Sequence, residues 1–233
     1  VALVLGHAHN DATVRLAQAR QVMDAGWCAA WAQQIVQAKL HRQARVLARW
    51  RQDRPDARLA LTRAERGVAT VREALAVLHA DSGDTFARLA TLRGLEGTAA
   101  RAHFAGLAAV LPPALGFTGR NRRPPRDPAN ACLSLGYTLL HAEAVTAAQA
   151  AGLDPLLGFY HRPAFGRESL ASDLIEPLRA EVDAWVAALF RDRTLREDHF
   201  TRPESPGGAC LLGKAGRQTF YAEWAAHAVR PLR

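Results

Sequence analysis

Ser169-Leu170-Ala171-Ser172-Asp173-Leu174-Ile175-Glu176-Pro177-Leu178-Arg179 opens a stretch that runs on to Phe190. Leu174, Leu178, Val182, Trp185 and Leu189 recur there at spacings of four, four, three and four, the period of an apolar stripe along one face of an α-helix. The spacing predicts one long helix, capped at Ser169 and ending near Phe190. Asp173 and Glu176 would share a face of it with side chains roughly 5–6 Å apart, close enough to share a cation. The bland alternative is a solvated polar face opposite the Leu174/Leu178 stripe.

The same helical character extends outward. Alanine is abundant while Val, Ile, Tyr and Phe are sparse, which favours helix over sheet. Helices are predicted from a cap at Asn10 or Asp11 to about Ala25, from Trp27 to Arg51, and from Arg58 to Ala80 with Gly67 as a weak point. Others run from the Asp81–Asp84 loop to Leu111, stopped by Pro112-Pro113, from Ala129 to Ala151, and onward from Arg217. The second carries Trp27, Trp31 and Ile35, then a basic face of Lys39, Arg42, Arg45 and Arg49. The expected fold is mainly α, a multi-helix lobe over residues 6–233 with one strand at Val1–Leu5. Residues 203–216 read as a Pro/Gly-rich irregular segment, with a short hairpin at Ala209–Leu212.

Composition narrows the function classes. The chain has 233 residues and a formal net charge of +8, and lysine supplies only Lys39 and Lys214 of its 30 basic residues. A basic balance of this size suits phosphates or an acidic surface. Cys28, Cys132 and Cys210 lie far apart, which argues against a zinc site or a disulfide framework. No apolar run reaches about 18 residues, so the expectation is a soluble, cytoplasmic protein with no membrane partner.

Three further segments carry candidate chemistry. Glu96 lies mid-helix between Gly94 and Gly97, small neighbours that suit close approach of a backbone or a ligand, or simply tight helix packing. His161 follows the apolar turn Gly158-Phe159-Tyr160 and precedes a loop with Arg162 and Arg167. Phe117 to Pro128 holds Arg120, Arg122, Arg123 and Arg126 among three prolines and reads as an irregular basic loop, either a phosphate contact or a solvated linker. Carboxylates with one imidazole suit a hard divalent cation. Neither a phosphate-cradling glycine loop nor a nucleophile elbow occurs.

Read together, four segments resemble one family. They are Leu92-Arg93-Gly94-Leu95-Glu96-Gly97-Thr98-Ala99-Ala100-Arg101; Arg122 to Ala131 followed by Leu133-Ser134-Leu135-Gly136-Tyr137; Ala151-Gly152-Leu153-Asp154-Pro155 running into Gly158-Phe159-Tyr160-His161; and Ser169 to Arg179. In that order they are similar to the CRISPR-associated spacer-acquisition integrases, the Cas-one family. The resemblance implies a helical catalytic domain preceded by a β-domain, of which Val1–Leu5 would be the last strand. It also implies Glu96, His161 and Glu176 as ligands of Mg2+ or Mn2+, with Asp173 as a second acid beside the site. Tyr160 departs from the leucine-like residue usual in the family.

The implied activity is a metal-dependent DNA endonuclease/integrase that joins 3′-hydroxyl ends of short duplexes into a CRISPR repeat by transesterification. The implied partners are double-stranded DNA (the insert duplex and the repeat), a second copy of the chain in a homodimer, and the small adaptation protein Cas-two. Arg120, Arg122, Arg123, Arg126 and Arg167 are the candidate DNA contacts. Two other classes stay open: a non-catalytic DNA-binding or assembly module, and a branched-DNA nuclease that integrates nothing.

Overall fold

Two aspartates set the first helices. Asp11 caps α1 (Ala12–Met23) by accepting the Thr13 N–H at 2.8 Å, and Asp24 caps α2 (Ala25–Asp53) by accepting the Trp27 N–H at 2.9 Å. The computed structural model describes residues 11–78, 85–121, 123–201 and 208–228. The strand expected at Val1–Leu5, the Asp81–Asp84 loop and residues 203–207 of the Pro/Gly segment lie outside the described residues.

After α2 come α3 (Arg58–Ala76), α4 (Thr85–Val110) and α5 (Pro128–Ala150). Asp127 caps α5 through the Asn130 N–H, and Pro128 takes its first position, where a missing N–H costs nothing. α2 is the central element, packed against α3, α4 and the later helix that begins at Arg179. Leu40, Leu47, Leu61, Leu92, Leu107 and Leu133 are fully buried between these helices. Gly67 is a packing device rather than a weak point: a β-carbon there would lie 2.8 Å from that of Ala102, so the glycine lets α3 and α4 approach closely.

The long helix predicted from Ser169 to Phe190 is broken. It forms α6 (Ser169–Ile175), a 3-10 turn over Glu176–Leu178, and α7 (Arg179–Arg191). Pro177 has no N–H to donate one turn back, and the Glu176 N–H bonds to the Asp173 carbonyl instead, tightening the chain. The expected burial is also rotated. Leu174 and Leu178 are half-buried, whereas Asp173 and Glu176 are 0 % and 5 % exposed. The acids face inward, which removes the solvated-face alternative.

The hairpin differs in its partner. β2 (Leu211–Leu212) pairs antiparallel with β1 (Phe200–Thr201), across the Pro/Gly segment rather than within Ala209–Leu212. α8 (Lys214–Glu223) starts three residues before the expected Arg217. No helix among the described residues is long and apolar enough to cross a membrane.

Candidate active site

Asp173 organises the turn that carries His161. Its Oδ2 accepts the N–H groups of Phe159 (2.7 Å) and Tyr160 (2.9 Å), and its Oδ1 accepts the His161 N–H (2.8 Å). The same Oδ1 lies 2.7 Å from the His161 ring Nδ1. Three backbone donors and one imidazole therefore fold the chain around one buried carboxylate. Gly158 makes this possible, since a β-carbon there would sit 2.5 Å from the Ser169 carbonyl carbon. Phe159 anchors the turn from the other side, edge-on to Trp27 and Trp31, which stack with ring centres 5.5 Å apart. Gln18 of α1 ties down the preceding turn, accepting the Asp154 N–H at 2.8 Å and donating to the Asp154 and Leu157 carbonyls at 2.9 Å.

Glu96 of α4 and Glu176 of the 3-10 turn meet at a lysine. The Lys39 ammonium of α2 donates to Glu176 Oε2 at 2.6 Å and also to Glu96 Oε1. Arg179 donates to Glu176 Oε1 at 2.9 Å, and the Tyr160 hydroxyl donates to Glu96 Oε2 at 2.7 Å. Burial alone would push the Glu176 carboxyl up; the Lys39 ammonium and Arg179 guanidinium outweigh it and hold it at about 2. His161 contributes to the same lowering. Burial works against the Lys39 charge, yet Glu176 and Glu96 raise its pKa above the ordinary value, so it stays an ammonium. Tyr160 is pushed well up, first by burial and then by the Glu96 carboxylate, and acts as a hydrogen-bond donor.

The four expected residues thus fall into two linked pairs. Glu96 and Glu176 share Lys39; His161 and Asp173 bind each other; Tyr160 joins the pairs, with its hydroxyl on Glu96 and its N–H on Asp173. Among the described residues no group of three or more His, Cys, Asp or Glu side chains is placed so that it could hold a metal ion as it stands. Among the described residues nothing lies within 4 Å of a β-carbon placed at Gly94 or Gly97, which leaves the flanks of Glu96 clear of them.

Residues 1–226 match the family described as "CRISPR associated protein Cas1". The chain belongs to the CRISPR associated protein Cas1 family. It is similar to the CRISPR-associated endonuclease Cas1 1 of Thermodesulfovibrio yellowstonii, 36 % identical over 216 residues that cover 93 % of this chain and 65 % of that protein. Its fold is similar to a casposase bound to integration product, with a TM-score of 0.77 and 25 % identity over 96 % of this chain and 59 % of that one. It is also similar to a partial Cas6-RT-Cas1–Cas2 complex, with a TM-score of 0.78 and 26 % identity over 95 % of this chain and 65 % of that one. The chain spans roughly two thirds or less of these relatives, 59–65 % of their lengths.

Within this Cas1 domain the arginines divide. Arg120 is held inside its loop, donating to Asn130 Oδ1 at 2.8 Å and Ser134 Oγ at 3.0 Å with its guanidinium 5.4 Å from the Tyr137 ring centre. Arg123, Arg126 and Arg167 are exposed, and Arg122 lies outside the described residues. The loop is ordered by Asn121, whose Oδ1 accepts the Arg126 N–H at 2.9 Å and whose Nδ2 donates to Asp127 at 3.2 Å.

Sequence reasoning missed three residues that touch the carboxylates: Lys39, Tyr160 and Arg179. Lys39 had a signal. It falls in register with Val36, Leu40, Gln43 and Leu47 on the buried face of α2, not with Arg42 and Arg45. Tyr160 had one too, as the residue that departs from the family pattern.

Proposed function

We propose that this domain carries the catalytic site of a metal-dependent DNA endonuclease/integrase, which joins the 3′-hydroxyl ends of short DNA duplexes into a CRISPR repeat by transesterification. The observation that carries the reading is the convergence of Glu96 and Glu176, from distant parts of the chain, on a single cation. Glu176 is buried and Glu96 partly buried, and acids gathered at such a cost in desolvation are more than a solvated face. The similar proteins, a CRISPR-associated endonuclease Cas1 and a casposase bound to integration product, support the same reaction class.

The donor set fits Mg2+ or Mn2+. Two carboxylates that already share a cation, and one imidazole, are ligand types that such an ion takes. Glu96, His161 and Glu176 would hold the ion. When bound, it supplies Lewis-acid polarisation of a phosphodiester oxygen and stabilises the charge on the leaving oxygen. Asp173 fixes the His161 ring through Nδ1, so that Nε2 is the nitrogen presented to a ligand. Tyr160 and Arg179 hold the outer oxygens of Glu96 and Glu176 and orient both carboxylates. In strand transfer the 3′-hydroxyl gives up its proton to solvent as its oxygen attacks phosphorus; one P–O bond forms, the repeat's own P–O bond breaks, and the leaving oxygen takes a proton from solvent. Hydrolysis is the same displacement with water.

Exposed Arg123, Arg126 and Arg167, together with Arg122, would hold backbone phosphates, giving salt-sensitive and largely sequence-tolerant affinity. A homodimer, a Cas2-type partner and a cytoplasmic site of action belong to the same proposal. The deciding experiment incubates the full-length protein with its partner, a supercoiled repeat plasmid and end-labelled duplexes in Mg2+ or Mn2+. Label transferred to the plasmid is expected. Nicking without transfer would leave a nuclease only, and duplex binding without either would leave a DNA-binding module.

A further inference from the structure

All four oxygens of the Glu96/Glu176 pair have protein donors. Lys39 takes Glu176 Oε2 and Glu96 Oε1, Arg179 takes Glu176 Oε1, and Tyr160 takes Glu96 Oε2. Two negative charges are balanced by two positive ones without any further ion. The Lys39 side chain is only 9 % exposed and its ammonium reaches both acids at once. Without it, two carboxylates delivered to one point would repel each other and separate.

We propose that Lys39 is a built-in counter-ion, which keeps Glu96 and Glu176 assembled in the absence of a divalent cation and competes with that cation for them. The inference rests on the reading that these acids hold a metal. A second cation bound by the same oxygens is repelled by an ammonium already in contact with them, so metal entry requires Lys39 to release at least one carboxylate. The lysine's four-carbon stem permits that withdrawal; the planar fork of an arginine would fit it less well. This accounts for a lysine here in a chain whose other basic residues, Lys214 apart, are all arginine. Lys39 acts through the two acids and is a positioning residue. Its effect is to assemble the site before the metal arrives and to set the concentration at which the metal enters.

The test measures metal binding, not turnover. In the full-length protein without DNA, Lys39→Met should bind Mn2+ at least tenfold more tightly than wild type by calorimetry. It should also melt at a lower temperature in EDTA, with Mn2+ restoring more of that stability than it adds to wild type. Mn2+ affinity equal to or weaker than wild type overturns the proposal. Should Lys39→Met fail to fold, wild-type protein labelled with [15Nζ]lysine decides, because this chain contributes only two ammonium signals, from Lys39 and Lys214. Saturating Mg2+ should shift the Lys39 signal and speed its hydrogen exchange, leaving Lys214 as it was. A Lys39 signal unmoved while Mg2+ binds overturns this inference alone. Absence of any divalent-cation binding overturns it together with the reading beneath it.

Discussion

Asp173 grips His161 twice, accepting its backbone N–H at 2.8 Å and meeting its ring Nδ1 at 2.7 Å with the same oxygen. The other oxygen serves the N–H groups of Phe159 and Tyr160. Asn cannot replace it, because one of its two polar ends is a donor and would confront N–H groups. Asp173→Asn is therefore expected to lower stability by about 2–5 kcal/mol, read from urea unfolding of metal-free protein. A change within experimental error would mean that the turn holds without this carboxylate.

Strand transfer should be abolished in Glu96→Gln, His161→Ala and Glu176→Gln, each assayed in the full-length protein. Duplex affinity should change by less than about threefold, since the phosphate contacts are assigned to the arginines. Any variant that joins DNA at near wild-type rate leaves the catalytic set.

Arg120 and its neighbours in the loop should separate cleanly. Arg122→Ala with Arg123→Ala should weaken duplex binding and reduce the salt slope by up to about 2, at roughly 0.9 for each phosphate no longer neutralised. Arg120→Ala should instead lower the unfolding midpoint, because it strips Asn130 and Ser134 of a donor. An unchanged salt slope in the double variant would make the loop a linker.

The pH dependence of metal-free stability follows from Glu176. Its folded carboxyl is held at about 2 against an ordinary value of 4.5. A lowered carboxyl favours the folded state above the unfolded value, so stability should be full above about pH 5 and decline as pH falls toward 2. The decline should be on the order of 3 kcal/mol, and Glu176→Gln should flatten this part of the profile. Identical acid profiles for the two proteins would show that Glu176 does not carry the effect.

Gly158→Ala tests the turn itself. A β-carbon at this position would meet Ser169 and the His161 carbonyl, 2.5–2.7 Å away, so the variant should unfold at lower denaturant and lose metal-dependent activity together. Retained activity with lowered stability would show that the turn relaxes without displacing His161.

Features that depend on neighbours along the chain were legible before any packing was known. Helical periodicity and alanine richness were enough to read a mainly α fold, and Asp11 and Pro112 marked a helix start and a helix end. The residues flanking Glu96, His161 and Glu176 resemble one family's motifs, and that resemblance is what put forward those three as one site although they lie far apart in the chain.

Features that depend on which faces meet were not. The period of the 169–190 stripe survived a proline that breaks its hydrogen-bond ladder, so the break and the inward rotation of Asp173 and Glu176 were not visible in spacing. Lys39 read as one more cation on a basic helix. Only the packing of α2 against α4 and the 3-10 turn brings its ammonium to both acids. A charge can be buried when two distant segments deliver opposite charges to the same point, and no local pattern encodes that meeting.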